Sequence, residues 1–107
     1  MEHDYAKDIP FGRKNAISRA RLRSLWGMSD RDMRDTIAWL REHDPNDDYI
    51  IISRSEAPGG YYRSDDPEEI RQYMGETKRR AIHTFKPLKK ARRVLKRLEN
   101  KSYDAGI

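Results

Sequence analysis

Apolar positions in this chain follow three different patterns along its length, and each pattern predicts a different element. Between Ser18 and Leu40 they recur at helical spacing. Leu22 and Leu25 mark one face of a first helix ending at Trp26; Met33, Ile37 and Leu40 mark one face of a second. Gly27 stands between them, where a helix end needs a residue that tolerates the left-handed conformation. Ser18 is expected to cap the first helix. Ser29 is expected to cap the second, with Asp32 three residues on, a shorter relative of the Glu/Gln capping box. The second helix is predicted from about Asp30 to Arg41 or Glu42, where His43-Asp-Pro-Asn-Asp-Asp, a dense cluster of turn formers, ends it.

A second pattern follows. Tyr49-Ile-Ile-Ile-Ser is a short β-branched apolar run that reads as a strand, and the aromatic Tyr61-Tyr-Arg reads as a second. The turn-rich Arg54-Ser-Glu-Ala-Pro-Gly-Gly joins them, so a β-hairpin is predicted from about Tyr49 to Arg63. Side chains alternate along a strand, so one of Tyr61 and Tyr62 is expected to face the core and the other solvent. Ahead of all this, Tyr5 and Ile9 fit one face of a short helix that Pro10 ends; Phe11 to Asn15 reads as loop, and Ile17 as a core plug in a small strand.

The third pattern begins at Asp66, a cap followed by Pro67 in the first turn and by Glu68 and Glu69, which complement the helix dipole. Ile70, Met74, Thr77, Ala81, Thr84, Leu88, Ala91, Leu95 and Leu98 then alternate spacings of four and three, a heptad seam over about four repeats. Thr and Ala weaken the seam in the middle. Leu88, Ala91, Leu95 and Leu98 form its strong end and are the candidate dimer interface, burying against the body, a second subunit or both. Pro87 is expected to kink or split this helix near Phe85. The predicted fold class is mainly α with a small β-hairpin, divided into a body over residues 1–65, a long basic helix over 66–101 and a tail over 102–107.

Composition sharpens the picture. Of 107 residues, 36% are apolar and 38% charged, so the core must be small. Net charge is +5, with an isoelectric point near 9.6. Residues 78–101 hold 11 Lys/Arg against one acid, Glu99, whereas residues 1–77 hold 12 Lys/Arg against 16 acids. An acidic body carrying a basic arm points to a polyanionic partner. Absence of cysteine excludes disulfides and thiolate metal sites and suits a cytoplasmic setting. No apolar run approaches the ~20 residues a membrane span needs, and Met1-Glu-His-Asp-Tyr lacks the apolar stretch of a signal peptide. His3, His43 and His83 share no ligand spacing, there is no glycine-rich phosphate loop, and the acids at Asp47-Asp48 and Asp65-Asp66 fit turns and caps. No metal, no cofactor and no enzymatic activity are expected.

Helix, glycine turn and capped helix form the helix-turn-helix pattern, and the hairpin after it stands where a wing would. Ile9-Pro-Phe-Gly-Arg-Lys-Asn-Ala-Ile-Ser, Gly27-Met-Ser-Asp-Arg-Asp-Met-Arg, Gly59-Gly-Tyr-Tyr and the basic helix after Asp66-Pro-Glu-Glu resemble the winged helix-turn-helix proteins of phages and prophages, over residues 9–98. The resemblance implies double-stranded DNA as partner, in transcriptional or replication control of a mobile element within a bacterial cytoplasm. In that reading Arg31 and Arg34, near the start of the second helix, read bases beside Ser29. Arg13, Lys14, Arg19 and Arg21 hold phosphate, Arg54 and Arg63 act from the hairpin, and Lys89, Lys90, Arg92 and Arg93 grip the backbone from the arm. Two departures stand out. Arg23 occupies a place where the family has a small residue, implying looser or shifted helix packing. From Asp30 to Arg41 the second helix has no net charge, which is unfavourable beside phosphate unless its aspartates cap, pair or read cytosine. The alternative is therefore a protein–protein adaptor or inhibitor on the same scaffold, for example of a host defence nuclease, with a host protein or nucleoprotein as partner. Trp39 lies off the apolar stripe and is expected to be covered by the long helix or by a second subunit.

Overall fold

The computed structural model describes residues 3–105, with side chains described as far as Lys101. Residues 1–2, the start of the short helix predicted over 1–9, and 106–107, the end of the tail, lie outside the described residues. The chain divides into two compact units, Met1–Ile70 and Arg71–Ile107. It is mainly α-helical with one two-stranded antiparallel hairpin. Among the described residues no helix is long and apolar enough to cross a membrane.

In the first unit, a 3-10 turn over Tyr5–Asp8 precedes a second over Arg13–Asn15. Helix α1 (Arg19–Trp26) starts where the Ser18 hydroxyl accepts from the Arg21 N–H at 3.2 Å. It ends at Gly27, whose φ of 63° and ψ of 36° are left-handed and let its N–H close back on the carbonyls of Arg23 and Ser24. Helix α2 (Asp30–His43) starts on the Ser29 hydroxyl, which accepts from the Asp32 N–H at 3.1 Å. It runs a residue or two beyond the predicted end. The turn after it is knitted by side chains: Asp44 accepts from the Asn46 N–H at 3.0 Å, and Asn46 from the Asp48 N–H at 2.9 Å.

Leu22, Met33, Ile37 and Leu40 are buried as their spacing requires, but Leu25 is 59% exposed. On a helix Leu25 lies about 60° from Leu22 and Trp26 about 40° on the other side, and it is Trp26 that is half-buried and packs on the core. Arg23 is exposed. It does not stand between the helices, so the contact there needs no loosening.

Strands β1 (Ile50–Arg54) and β2 (Gly60–Ser64) pair with Ile52 opposite Tyr62 and Ser53 opposite Tyr61. Both Tyr61 and Tyr62 are buried, at 7% and 0% exposure, so the expected division between core and solvent does not hold. Tyr61 and Ile51 join the core with Ala6, Ile9 and the helices. Tyr62 and Ile52 share the opposite face, where the Tyr62 hydroxyl donates to Glu69 at 3.0 Å. The hairpin is thus buried on two faces. The unbroken Ile50-Ile51-Ile52 run is the sequence trace of that, because a one-sided strand would alternate. The free edge of β2 is taken by the N-terminal segment. Ile17 and Tyr61 exchange backbone hydrogen bonds at 2.9 and 2.8 Å, and Arg63 donates to Pro10 while accepting from Gly12. Ile17 therefore pairs in the sheet as expected. Gly60, at φ 119°, makes this approach possible: a Cβ there would lie 2.2 Å from the Ile17 carbonyl oxygen.

Helix α3 spans Pro67–Ala105. Asp66 caps it, its carboxylate accepting from the Glu68 N–H at 3.1 Å. The helix continues unbroken through Pro87, so of the kink or split expected near Phe85 the split does not occur. Ser102–Ala105, expected as tail, are helical. Every residue from Thr77 to Lys101 is exposed.

Candidate nucleic-acid interface

The start of α2 concentrates charge. Asp30 sits at its first helical position, where the free N–H groups and the helix dipole favour a carboxylate. Arg34, one turn on, places its Nε 3.1 Å from Asp30 Oδ2, and Arg19 at the head of α1 places its Nε 3.8 Å from Oδ1. Two guanidinium groups from two helices converge on one carboxylate. Oδ1 is sealed from solvent with no hydrogen-bond partner among the described residues, so Arg19 compensates it by charge alone. Arg31 is exposed on the same first turn. Ser29 is occupied as the cap.

The other basic candidates divide by how far they are committed inward. Lys14 and Arg21 are exposed. Arg13 reaches the hairpin connection, donating to the carbonyls of Pro58 at 3.4 Å and Glu56 at 3.5 Å, with the Glu56 carboxylate 3.9 Å away. Arg63 is a structural clamp. Its Nε donates to the Ile9 carbonyl at 2.6 Å, and its guanidinium lies 4.2 Å from the centre of the Phe11 ring and 5.0 Å from that of Tyr49. Arg54 is half-buried and interacts with the Tyr62 hydroxyl. Both hairpin arginines are thus half-buried and engaged with partners inside the first unit. Lys89, Lys90, Arg92 and Arg93 are all exposed on α3, as are Leu88, Ala91, Leu95 and Leu98.

Two anchoring contacts escaped the sequence reading. Arg41 donates from Nε to the Ile51 carbonyl at 3.1 Å and from a terminal nitrogen to the Ser53 hydroxyl at 3.4 Å, fastening the end of α2 to β1. Its place just after buried Leu40, before the turn into the strand, was the available signal. Trp26 Nε1 donates to Asp8 at 2.9 Å and its ring meets Tyr5 edge-on at 5.0 Å. Burial opposes ionisation of Asp8, but hydrogen bonds from His3 and Trp26, with the charge of His3, outweigh it and hold its carboxyl below the ordinary range. The phenols shift the other way. Burial first, then the hydrogen bond to Asp44, raises Tyr49; burial and Glu69 raise Tyr62 against the opposing pull of Arg54.

On another side of this unit an open cleft of about 740 Å³ is lined by Tyr5, Asp35, Trp39 and Asp44 among others. Trp39 is 57% exposed and stacks on His43, with ring centres 4.9 Å apart. Among the described residues no group of His, Cys, Asp and Glu could hold a metal ion. No protein-family model, curated protein or solved structure matches the chain.

Proposed function

We propose that this chain is a non-enzymatic double-stranded-DNA-binding protein of winged helix-turn-helix type, serving transcriptional or replication control of a phage or other mobile element in the cytoplasm of a bacterial host. The observation that carries the reading is the order of parts: α1, a left-handed glycine turn, a serine-capped α2 and a hairpin, followed by a helix whose residues 78–101 hold 11 exposed Lys/Arg and one acid. In this reading α2 enters the major groove with Arg31 and Arg34 toward base edges, Lys14, Arg19 and Arg21 hold phosphate, and Lys89, Lys90, Arg92 and Arg93 supply sequence-independent grip. A second copy joined through Leu88, Ala91, Leu95 and Leu98 doubles the number of contacts.

The test is a salt-titrated binding measurement on random and genomic duplex fragments. Neutralising roughly four to six phosphates gives a slope of log affinity against log salt of roughly −4 to −5. Changing Lys89, Lys90, Arg92 and Arg93 to Ala should weaken binding to all sequences alike and flatten the slope. Changing Arg31 and Arg34 to Ala should erase preference among sequences and leave much of the slope. Absence of salt-dependent binding in the wild type would overturn the reading.

Two observations favour the adaptor reading instead. Arg34 is already paired with Asp30 in the free chain, and the cleft beside α2 presents an exposed Trp39 among acids. That surface suits a basic peptide of a partner protein. Selective binding of a host protein, abolished by Trp39→Ala and indifferent to Arg31→Ala, would establish it.

A further inference from the structure

The seam of α3 leaves large apolar side chains in water. Leu88 is 44% exposed, Leu95 and Leu98 57%, and two neighbours that flank them, Phe85 and Val94, are 56% and 44% exposed. A helix of 39 residues that is exposed all round from Thr77 to Lys101 is not stabilised by propensity alone. The distribution of charge around it says what covers it. In the heptad frame Leu88 and Leu95 occupy one seam position, Ala91 and Leu98 the other. Seven of the 11 Lys/Arg of residues 78–101, Lys89, Lys90, Arg93 and Lys96 among them, fall on the three outer positions, away from the seam.

Orientation follows from the four cations that flank the seam. In a parallel, in-register pair, a flanking residue on one helix meets the residue five positions further along the other. Arg80 then faces Phe85 of the second copy, Pro87 faces Arg92 and Val94 faces Glu99. No cation opposes a cation. Antiparallel pairing does worse. Laying Leu88 over Leu98 and Ala91 over Leu95 sets Arg92 against Arg92 of the second copy. Of the two registers one heptad away, the one with the longer overlap, Leu88 over Ala91, sets Arg80 against Lys101, and the other, Leu95 over Leu98, pairs only the C-terminal part of the seam. We infer that α3 pairs with α3 of a second copy as a parallel, in-register coiled coil whose outer faces carry the basic charge. This deepens the two-copy part of the proposed function and requires nothing of its DNA-binding part. Parallel pairing brings the two Met74 ends together, and seven outward cations per copy remain free for a polyanion.

The chain contains no cysteine, which makes the test direct. In the 107-residue chain without DNA, Leu95→Cys places two thiols across the seam of a parallel pair, whereas Lys89→Cys places them on opposite outer faces. Under mild oxidation Leu95→Cys should give a disulfide-linked dimer at least about tenfold faster than Lys89→Cys. Equal rates would overturn parallel pairing. Sedimentation of the wild type at tens of micromolar should give twice the chain mass; a monomer would overturn pairing altogether. Leu95→Asp with Leu98→Asp should weaken association about a hundredfold or more. Circular dichroism and the urea transition then verify that the first unit remains folded. Salt separates this inference from the DNA reading. Screening relieves repulsion between two basic arms, so association should tighten between 0.05 and 0.5 M salt on the scale set by the Debye length, while DNA binding weakens. Association that weakens with salt would overturn the charge argument even if DNA still binds.

Discussion

Gly27 and Gly60 both have positive φ, yet they answer to different constraints. At Gly27 a Cβ would meet nothing within 4 Å, so Gly27→Ala costs only the left-handed backbone, about 1 kcal/mol. At Gly60 the Cβ would strike the main chain at Ile17, and neither partner is a side chain that can swing away. Gly60→Ala should cost several times as much, and urea denaturation of the two variants side by side measures the difference. Asp30 gives a residue-scale prediction for function. Its carboxylate lies between Arg19 and Arg34, a place that on the proposed reading competes with a phosphate oxygen. On the proposed reading, Asp30→Asn should tighten binding to random duplex several-fold and steepen its salt dependence; weaker binding would mean that these arginines do not reach phosphate. The caps at Ser18 and Ser29 and the turn at Gly27 were legible in the sequence because they are local. The roles of Arg63 and Asp30 were not, because their partners lie on other elements and no spacing rule connects Arg63 to Ile9 or Asp30 to Arg19.

Among elements, the hairpin shows where period-two reasoning stops. Its strands and turn could be read from a β-branched run and an aromatic pair around Pro-Gly-Gly, but alternation assigns one face to solvent, and here Tyr62 and Ile52 are buried opposite Tyr61 and Ile51. The covering residue, Glu69, belongs to the first turn of α3, beyond the window of any strand pattern. Two phenols with raised pKa make a pH prediction. Unfolded tyrosine ionises near pH 10, while Tyr49 and Tyr62 in the folded chain hold their protons to higher pH. In that window the folded state binds more protons, so this stabilisation is complete below about pH 10 and is lost as pH rises through the folded values. Tyr62→Phe should flatten the alkaline loss of stability, measured as the urea midpoint against pH. It should cost about 1 kcal/mol at neutral pH, the worth of a typical hydrogen bond. Asp8 has the opposite sign. Its stabilisation is present above about pH 4 and falls away in acid as pH passes through its lowered value; Asp8→Asn should remove that acid-limb slope. Long helix α3 was readable from its cap, proline and heptads, but whether Pro87 would kink it or split it was not. The missing N–H at one position removes a single hydrogen bond, and 39 residues of helix absorb the loss.

For the whole chain, hydrophobicity and charge are allotted to different units. All members of the core cluster, from Ala6 to Tyr61, lie in Met1–Ile70, while Arg71–Ile107 holds the basic run. A chain ended after Glu76 should therefore unfold cooperatively in urea with a stability within about 1–2 kcal/mol of the full protein, and should lose most of the salt-dependent affinity for random duplex. Loss of the cooperative transition would show that the arm supports the body. This partition was visible in the sequence as a change of charge near residue 78. The N-terminal contribution to the sheet was only half visible: Ile17 could be marked as a plug, but its partner lies on the far side of both helices in sequence.

That partnership governs how the first unit acquires its structure in time. Ile17 meets Tyr61, and Pro10 and Gly12 meet Arg63, across more than forty intervening residues. Helices α1 and α2 and the hairpin are local and form within microseconds. The strip from Pro10 to Ile17 gains its hydrogen bonds only after a long loop has closed, which costs entropy before any contact repays it. Folding should accordingly be slower than the helix content suggests, with the amides of Gly12 and Ile17 the last in this unit to resist exchange in a pulse-labelling experiment. Once docked, the same strip leaves β2 no open edge along which another chain could add a strand, so the slow step also removes one of the hairpin's two edges from aggregation.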